Sequence, residues 1–191
     1  MSELIKADIC VIGAGSAGLS VAAGAAQLGA PTVLIEADRM GGDCLNVGCV
    51  PSKSLIAASR IAHQMRTSAP FGIAPVEPAV DMPAVKRHIE AVIAGIAPHD
   101  SVERFEGLGV RVIKAHARFT GPDEVEAGGT RISARRFVVA TGSRPAVPPI
   151  DGLDAVGFWT NETIFENDVL PEHLIVLGGG AIGAELAQAY R

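Results

Sequence analysis

The chain has 191 residues, of which 48% are hydrophobic and 19% are charged, so it can bury the core of one domain and part of a second. Its formal net charge of −5 gives no electrostatic reason to expect binding to nucleic acid or to an anionic membrane. The longest small apolar stretch has about half of the roughly 20 residues that a membrane span needs, and no secretory signal is recognisable. Three cysteines in such a chain are typical of the reducing cytoplasm, so we expect a cytoplasmic protein.

Residues 7–36 predict a β-α-β unit, because two short apolar runs flank an alanine-rich helix. Gly13, Gly15 and Gly18 have the G-x-G-x-x-G spacing of a dinucleotide-binding turn. The first glycine permits the tight turn, the second lets a pyrophosphate approach the backbone, and the third lets helix and strand pack closely. The phosphate would lie at the helix N-terminus, and Glu36 at the end of the second strand suits a ribose hydroxyl.

The segment GGDCLNVGCVPSKSL contains two cysteines, Cys44 and Cys49. A structural crosslink, a metal site and a redox-active pair are all conceivable at this point. The third cysteine, Cys10, lies inside the first predicted strand, and we expect it to be a small buried hydrophobe.

The middle of the chain predicts helices, a proline-rich loop and then β-structure. The histidines show no ligand spacing among themselves, so no metal site is expected. Asp100 or Ser101 is expected to be the N-cap of the third of these helices, and a Gly128-Gly129 pair predicts a hairpin. We expect helices over 51–66, 83–97 and 101–108, a loop over 70–83, and β-structure over 110–120, 124–133 and 135–145.

Residues 173–191 repeat the first unit, with an apolar strand, a glycine turn and the start of a helix. Gly178, Gly180 and Gly183 have the same G-x-G-x-x-G spacing, which indicates a second dinucleotide site. The strand whose end would carry the ribose-selecting residue does not follow, so we expect an N-terminal fragment of a longer protein.

The cysteine segment between two glycine turns resembles the active-site signature of the class I flavoprotein disulfide reductases. This family of pyridine nucleotide-disulfide oxidoreductases includes dihydrolipoamide dehydrogenase, glutathione reductase and mercuric reductase. The segments VVATGSRP and LGGGAIGAELA are similar to its second FAD-contacting strand and to its NAD(P)-binding turn. The resemblance implies an α/β fold: a Rossmann-like FAD-binding domain (residues 1–147) with a parallel sheet, a β-meander and a helical insertion. The truncated start of a Rossmann-like NAD(P)-binding domain (residues 148–191) would follow.

The resemblance also implies FAD and NAD or NADP as cofactors, and it implies a role for individual residues. Cys44 would be the thiol that attacks the substrate, and Cys49 would be the thiol beside the flavin. Lys53 would lie near the flavin N5 edge and pair with Glu185, with both charges buried. Asp43 stands where many members have threonine. The implied cofactor contacts are Gly13, Gly15, Ser16, Gly18, Glu36, Gly42, Asp43, Lys53, His116, Ala117, Thr141 and Gly142 for FAD, and Gly178, Gly180 and Gly183 for NAD(P).

The backbone geometry of the cysteine segment is consistent with a redox-active pair. Cα atoms five positions apart in an ideal helix are roughly 8 to 9 Å apart, beyond the roughly 7 Å limit for a disulfide. Residues 44–49 therefore cannot be regular helix when oxidised. Cys49 would lie near the N-terminus of the next helix with Lys53 close, and both features favour its thiolate. A structural disulfide would constrain little chain, and a zinc site would lack two ligands.

Further residues favour some members of the family over others. Ala181 stands where glutathione reductases have a tyrosine, and residues 158–165 are more similar to mercuric reductases than to lipoamide dehydrogenases. We expect electrons to pass from NAD(P)H through FAD to a Cys44–Cys49 disulfide and on to a small disulfide or a metal ion. A mercuric reductase-like enzyme ranks first and a dihydrolipoamide dehydrogenase-like enzyme second.

The full-length enzyme is expected to be a homodimer whose partner subunit supplies a His-Glu pair, so the 191-residue chain should lack turnover with disulfides. A different class also stays open at this point: an FAD-binding or redox-sensing module without turnover.

Overall fold

The computed structural model describes residues 4–191. The chain forms two compact units: the chain up to Asn46 with Gly95–Arg144, and Val47–Ala94 with Pro145–Arg191. Within the described residues the α-helices are α1 (Ser16–Gln27), α2 (Gly42–Asn46), α3 (Cys49–Arg66), α4 (Met82–Ile96), α5 (Val102–Gly107), α6 (Leu153–Val156) and α7 (Ala181–Tyr190). The strands are β1 (Leu4–Ile12), β2 (Thr32–Glu36), β3 (Arg111–Lys114), β4 (Ala117–Gly121), β5 (Glu124–Ala127) and β6 (Thr130–Val139). Short 3-10 helices cover Ala69–Phe71, Ala97–Asp100 and Ile164–Glu166.

The first unit is built on a six-stranded sheet with the order β3-β2-β1-β6-β5-β4. The strands β3, β2, β1 and β6 are parallel, and β5 and β4 continue the sheet as an antiparallel meander. The predicted α/β fold with a parallel sheet, a β-meander and a helical insertion is confirmed. The predicted functional division at residue 147 stays a prediction.

Both faces of the central strands are buried, which explains their continuous apolar sequences. Successive strand residues point to opposite faces, so neighbours in β1 belong to different clusters. Val11 lies in the cluster that includes Phe105 of α5. Cys10 lies in the cluster on the other face, with Val125 and Ile132 of the meander, and its surface is 0% exposed. The prediction that Cys10 is a buried hydrophobe is confirmed.

The β-structure predicted over 110–120 is confirmed, and it consists of two strands at opposite edges of the sheet. β3 pairs with β2 at one edge, and β4 pairs with β5 at the other. The β-structure predicted over 124–133 is confirmed as β5 and the start of β6, and β6 runs without a break from Thr130 to Val139 into the stretch predicted over 135–145. The first part of β6 pairs with β5, and β6 pairs with β1 along its length. Because β1 ends at Ile12, residues 140–145 have no neighbouring strand to pair with.

Two local predictions in this unit are confirmed. Gly128 and Gly129 connect β5 to β6 with φ angles of 56° and 78°, as a tight hairpin turn of this kind requires. The Ser101 hydroxyl caps α5 by accepting a hydrogen bond from the Arg104 N–H at 3.2 Å.

Helices α3 and α4 of the second unit are close to their predicted bounds. The loop between them is held to α3 by the Val76 N–H, which donates to the Met65 carbonyl, and by an ion pair of Arg66 with Glu77 at 2.8 Å. Asp81 then caps α4 by accepting from the Ala84 N–H at 3.0 Å. Among residues 4–191, none of the helices is long and apolar enough to cross a membrane.

The strand predicted before the second glycine turn is wrong. Residues 172–179 have no strand pairing, and the side chains of Ile175, Val176 and Leu177 are 74%, 37% and 60% exposed. An extended segment becomes a strand only when a neighbour satisfies its backbone groups, and the described residues of this unit contain no strand.

Candidate functional site

The first glycine turn connects β1 to α1 with little space around its backbone. Gly13 has a φ of 103°, and a Cβ atom there would lie 2.2 Å from the Ala140 carbonyl oxygen. A Cβ atom at Gly18 would lie 1.8 Å from the Gly13 carbonyl oxygen. The tight turn and the close packing of helix on strand, which the spacing predicts, are both present.

Glu36 fixes the glycine turn from the end of β2. Its carboxylate accepts hydrogen bonds from the N–H groups of Ala14 and Asp38, each at 2.6 Å, and the residue is buried. A carboxylate has about four lone-pair positions, so two remain for a ligand such as a ribose hydroxyl. The role predicted for Glu36 toward a ribose stays a prediction.

The N-terminus of α1 is open to an anion. Gly15 is the N-cap in an extended conformation, no side chain caps the helix, and its first turn carries no acidic residue. Uncapped N–H groups and the helix dipole favour a phosphate at such a position. A Cβ atom at Gly15 would meet only the Gly42 Cα within 4 Å, at 3.8 Å, so Gly15 keeps the approach to the helix end clear. These residues fit the pyrophosphate of FAD.

The cysteine segment packs directly on this turn. Gly41 donates from its N–H to the Ala14 carbonyl at 2.9 Å and forms a β-bridge with Gly15. A Cβ atom at Gly42 would lie 2.6 Å from the Gly15 Cα, so only glycine permits this approach. Asp43 follows in the first turn of α2.

The other predicted FAD contacts of this unit lie at several places. Ser16 is the first residue of α1. Thr141 lies beside the turn, since its Cα would be 3.2 Å from a Cβ at Gly13. Gly142 follows with a φ of 70°. His116 lies between β3 and β4, and Ala117 begins β4.

The segment that carries the two cysteines is not a continuous helix. A disulfide between Cys44 and Cys49 requires such an interruption. α2 ends at Asn46 and α3 begins at Cys49, and Gly48 between them has a φ of −132° and a ψ of −113°. Cys44 lies in α2 and is partly buried, whereas Cys49 is exposed at the start of α3. The helix begins two residues before its predicted start, because Pro51 is tolerated in the first turn, where its missing N–H needs no partner.

Asn46 is a site residue that the sequence reasoning missed. Its side-chain amide donates to the carbonyls of Met40 at 3.0 Å and Gly42 at 2.8 Å. These two bonds close the loop that carries Cys44. An asparagine two residues after a cysteine in a glycine-rich segment was the available signal, because asparagine amides commonly close such loops.

Lys53 and Glu185 pair although they are 132 residues apart in the chain. The Lys53 Nζ lies 2.5 Å from the Glu185 Oε1, where α3 and α7 pack together. The expected burial of this pair is wrong, since the two side chains are 60% and 40% exposed. The pair lies at the surface of its unit, so water keeps solvating both charges and the attraction contributes at most about 1 kcal/mol.

The second glycine turn repeats the backbone of the first. Gly178 has a φ of 103°, and Gly180 is the N-cap of α7 in an extended conformation without a side-chain cap. A Cβ atom at Gly183 would lie 2.8 Å from the Gly178 carbonyl oxygen. The local geometry fits the phosphates of a nicotinamide dinucleotide, as the spacing predicts.

An open cleft of about 340 Å³ borders Cys44. Two charged residues that line it, Asp100 and Arg104, were not predicted to be site residues. One wall consists of the α1 face with Ser16 and Ser20. The other contains Asp100, Arg104 and Phe105. Nothing in the sequence indicates this cleft, since its walls come from segments about 80 residues apart.

Comparison with known proteins identifies the family. The sequence profile described as pyridine nucleotide-disulphide oxidoreductase matches residues 7–191. The chain belongs to this family. A mercuric reductase from Streptomyces lividans is 36% identical over 189 residues, which cover 96% of this chain and 40% of that protein. A dihydrolipoyl dehydrogenase from Vibrio cholerae is also 36% identical, over 100% of this chain and 41% of that protein.

The solved structures of the family agree with this assignment. The HOCl-induced flavoprotein disulfide reductase RclA from Escherichia coli is 26% identical, with a TM-score of 0.80 over 96% of this chain and 39% of that one. Its Cu(II) complex is 25% identical, with a TM-score of 0.79. The chain thus spans about 40% of the length of the pyridine nucleotide-disulphide oxidoreductases that it matches.

Proposed function

We propose that this chain carries the FAD-binding turn and the redox-active cysteines of an oxidoreductase that takes electrons from NADH or NADPH. The observation that carries the proposal is the interrupted helix at Cys44 and Cys49, directly after glycines that pack on the first dinucleotide turn. Membership of the pyridine nucleotide-disulphide oxidoreductase family supports the same reaction class.

In this proposal the first unit binds the ADP half of FAD. The uncapped N-terminus of α1 holds the pyrophosphate, and Gly15 leaves the space for its approach. Glu36 accepts a hydrogen bond from the ribose with a lone pair that its two backbone donors leave open. FAD, when bound, supplies a two-electron carrier between the nicotinamide and the thiols.

The cysteines divide the remaining work between them. Cys44 borders the cleft, so it is the thiol that meets the acceptor. Cys49 begins an 18-residue helix one turn before Lys53, and in this proposal it is the thiol beside the flavin. Glu185 accepts from the Lys53 ammonium and thereby orients it. Gly178, Gly180 and Gly183 bind the phosphates of NAD(P)H.

The acceptor is a small disulfide or a metal ion, and the protein acts as a cytoplasmic homodimer. A mercuric reductase-like reaction ranks before a dihydrolipoamide dehydrogenase-like one because of residues 158–165. The two relatives described above are equally identical to this chain, so overall identity does not separate these acceptors.

FAD binding by Gly15→Ala tests the first half of this proposal. The new Cβ meets only the Gly42 Cα at 3.8 Å, so stability should be unchanged, whereas FAD affinity should fall at least about tenfold because the methyl group blocks the pyrophosphate. Gly24→Ala on the same helix, where nothing lies within 4 Å, is the matched control and should bind FAD like the wild type. Equal FAD affinity of Gly15→Ala and wild type, measured by fluorescence quenching, would refute the pyrophosphate site.

Thiol counting in glutathione redox buffers tests the second half. Reduction of the oxidised chain should expose two additional thiols, and peptide mass mapping should locate both at Cys44 and Cys49. Cys44→Ser and Cys49→Ser should each abolish this gain, whereas Cys10→Ala should leave it intact. A gain that survives Cys49→Ser would remove that residue from the redox pair.

A further inference from the structure

The cleft beside Cys44 contains two opposite charges that have no ionic partner in the part of the chain described. Its size of about 340 Å³ lies within the range of small-molecule sites. Arg104 and Asp100 lie on the same wall, and Cys44 borders the same space. The residues that line this one cleft thus include a cation, an anion and a thiol.

Arg104 is held in position without being neutralised. One terminal nitrogen donates to the His99 carbonyl at 2.6 Å, and the guanidinium carbon lies 5.5 Å from the centroid of the Phe105 ring. The Arg104 N–H is anchored on the Ser101 hydroxyl. No carboxylate of residues 4–191 lies within 4.0 Å of this guanidinium, so N–H donors remain for a carboxylate of the ligand.

Asp100 provides the opposite charge from the end of the preceding 3-10 helix. It is partly buried, and no ion pair joins it to a described lysine or arginine. No ion pair within 4.0 Å joins it to Arg104. A ligand group that carries both charges itself can therefore pair with each of the two residues.

We propose that the Cys44 cleft takes a small disulfide whose ends each carry a carboxylate and an ammonium group, the chemistry of an α-amino acid disulfide. Arg104 binds the carboxylate and Asp100 binds the ammonium group, which brings a disulfide sulfur to Cys44. This inference rests on the proposed function, because Cys44 has to be the attacking thiol.

The two cysteines and the acceptor disulfide together account for every bond and electron of the exchange. The Cys44 thiolate attacks one sulfur of the disulfide, a mixed disulfide forms, and the first product leaves as a thiolate that takes a proton from water. The Cys49 thiolate then attacks the Cys44 sulfur and releases the second product thiol. The dithiol loses two electrons, and the acceptor gains two electrons and two protons.

Stopped-flow exchange of the reduced 191-residue chain with four disulfides tests the inference. The probes are cystine with both charges, cystine dimethyl ester with the ammonium only, 3,3′-dithiodipropionate with the carboxylate only, and neutral 2-hydroxyethyl disulfide. Each variant rate is divided by the wild-type rate for the same probe, which removes intrinsic differences between the disulfides.

Arg104→Gln should slow the two carboxylate-bearing probes about three- to tenfold, as expected for charge pairing at a partly solvated site, and leave the neutral probe unchanged. Arg104→Lys should recover part of this loss. Asp100→Asn should slow the two ammonium-bearing probes only. The matched control is Arg118→Gln, which removes an exposed arginine on β4, at the sheet edge away from β3, and should change no ratio.

The outcomes separate the inference from the proposed function. Exchange that is equally fast in Cys44→Ser would overturn the proposed function. Exchange that needs Cys44 but shows unchanged ratios in Arg104→Gln and Asp100→Asn would overturn only the inference about the acceptor. An effect of Arg104→Gln alone would overturn the zwitterionic class.

Discussion

The two glycine turns of this protein share a backbone conformation but follow very different segments. Gly13 and Gly178 have the same φ of 103°, and Gly15 and Gly180 are both extended N-caps. In each turn the third glycine faces the carbonyl of the first. The turn geometry therefore arises from the local G-x-G-x-x-G sequence in both units.

The apolar residues before the two turns differ in burial, because only those before the first turn have neighbouring strands. Val11 is fully buried in β1 between two parallel strands, whereas Val176, at the equivalent position before Gly178, is 37% exposed and in no strand. The two apolar runs are similar in sequence. An apolar run thus becomes a strand only where partner strands accept its hydrogen bonds.

The largest difference between the turns should appear on adding a methyl group at the third glycine. Gly18→Ala places a Cβ 1.8 Å from the Gly13 carbonyl oxygen in the turn between β1 and α1, and it should lower the free energy of unfolding by about 3 kcal/mol or more. Gly183→Ala should cost about 1 kcal/mol, since its 2.8 Å contact with the Gly178 carbonyl oxygen is less severe and the segment before that glycine is exposed. Urea unfolding followed by circular dichroism measures both, and equal losses would contradict the comparison.

Removing the anchor of the first turn should have the next largest effect. Glu36→Gln replaces one carboxylate oxygen with an amide that cannot accept from Ala14 or Asp38, so unfolding should become easier by about 2 kcal/mol. Glu106→Gln, at an exposed position of the same unit, is the control and should stay within about 0.5 kcal/mol. If both variants unfold at the same urea concentration as the wild type, Glu36 does not anchor the turn.

Truncating the equivalent valines tests the strand difference directly. Val11→Ala removes buried methyl groups and should cost about 2 kcal/mol. Val176→Ala should cost less than about 0.5 kcal/mol, because water already contacts this side chain. Hydrogen exchange of the surrounding amides provides the measurement. A comparable loss of protection in both units would show that residues 174–177 are packed like a strand.

The last prediction concerns Cys10, the residue before Val11, and its effect appears only at high pH. Burial raises the pKa of its thiol from 9.0 to about 11. Between these pH values the unfolded chain has lost this proton while the folded chain keeps it, so stability should fall by about 2 kcal/mol as the pH rises.

Urea unfolding between pH 8 and pH 11 measures this dependence. Cys10→Ala should lack it, and so should a cysteine in the corresponding exposed position, Ile175→Cys, added in the Cys10→Ala background. An unchanged pH profile in Cys10→Ala would assign the effect to other groups.

Much of the candidate site was predictable because its motifs are local. The glycine spacing predicts both turns, and Ser101 predicts the cap of α5 that the structure contains. The pairing of Lys53 with Glu185 came from the family resemblance, since no local pattern links residues so far apart. The exposure of this pair was not predictable, because exposure depends on everything that packs nearby.

Local sequence was thus sufficient for the family, the β-α-β unit, the two glycine turns and the interruption between Cys44 and Cys49. These features depend on backbone preferences and hydrophobic periodicity within a few residues. Only the tertiary structure decided that β3 and β4 lie at opposite sheet edges, that residues 174–177 form no strand, and that Asp100 and Arg104 border Cys44. Strand pairing and cleft formation are contacts between distant segments, and no local pattern encodes them.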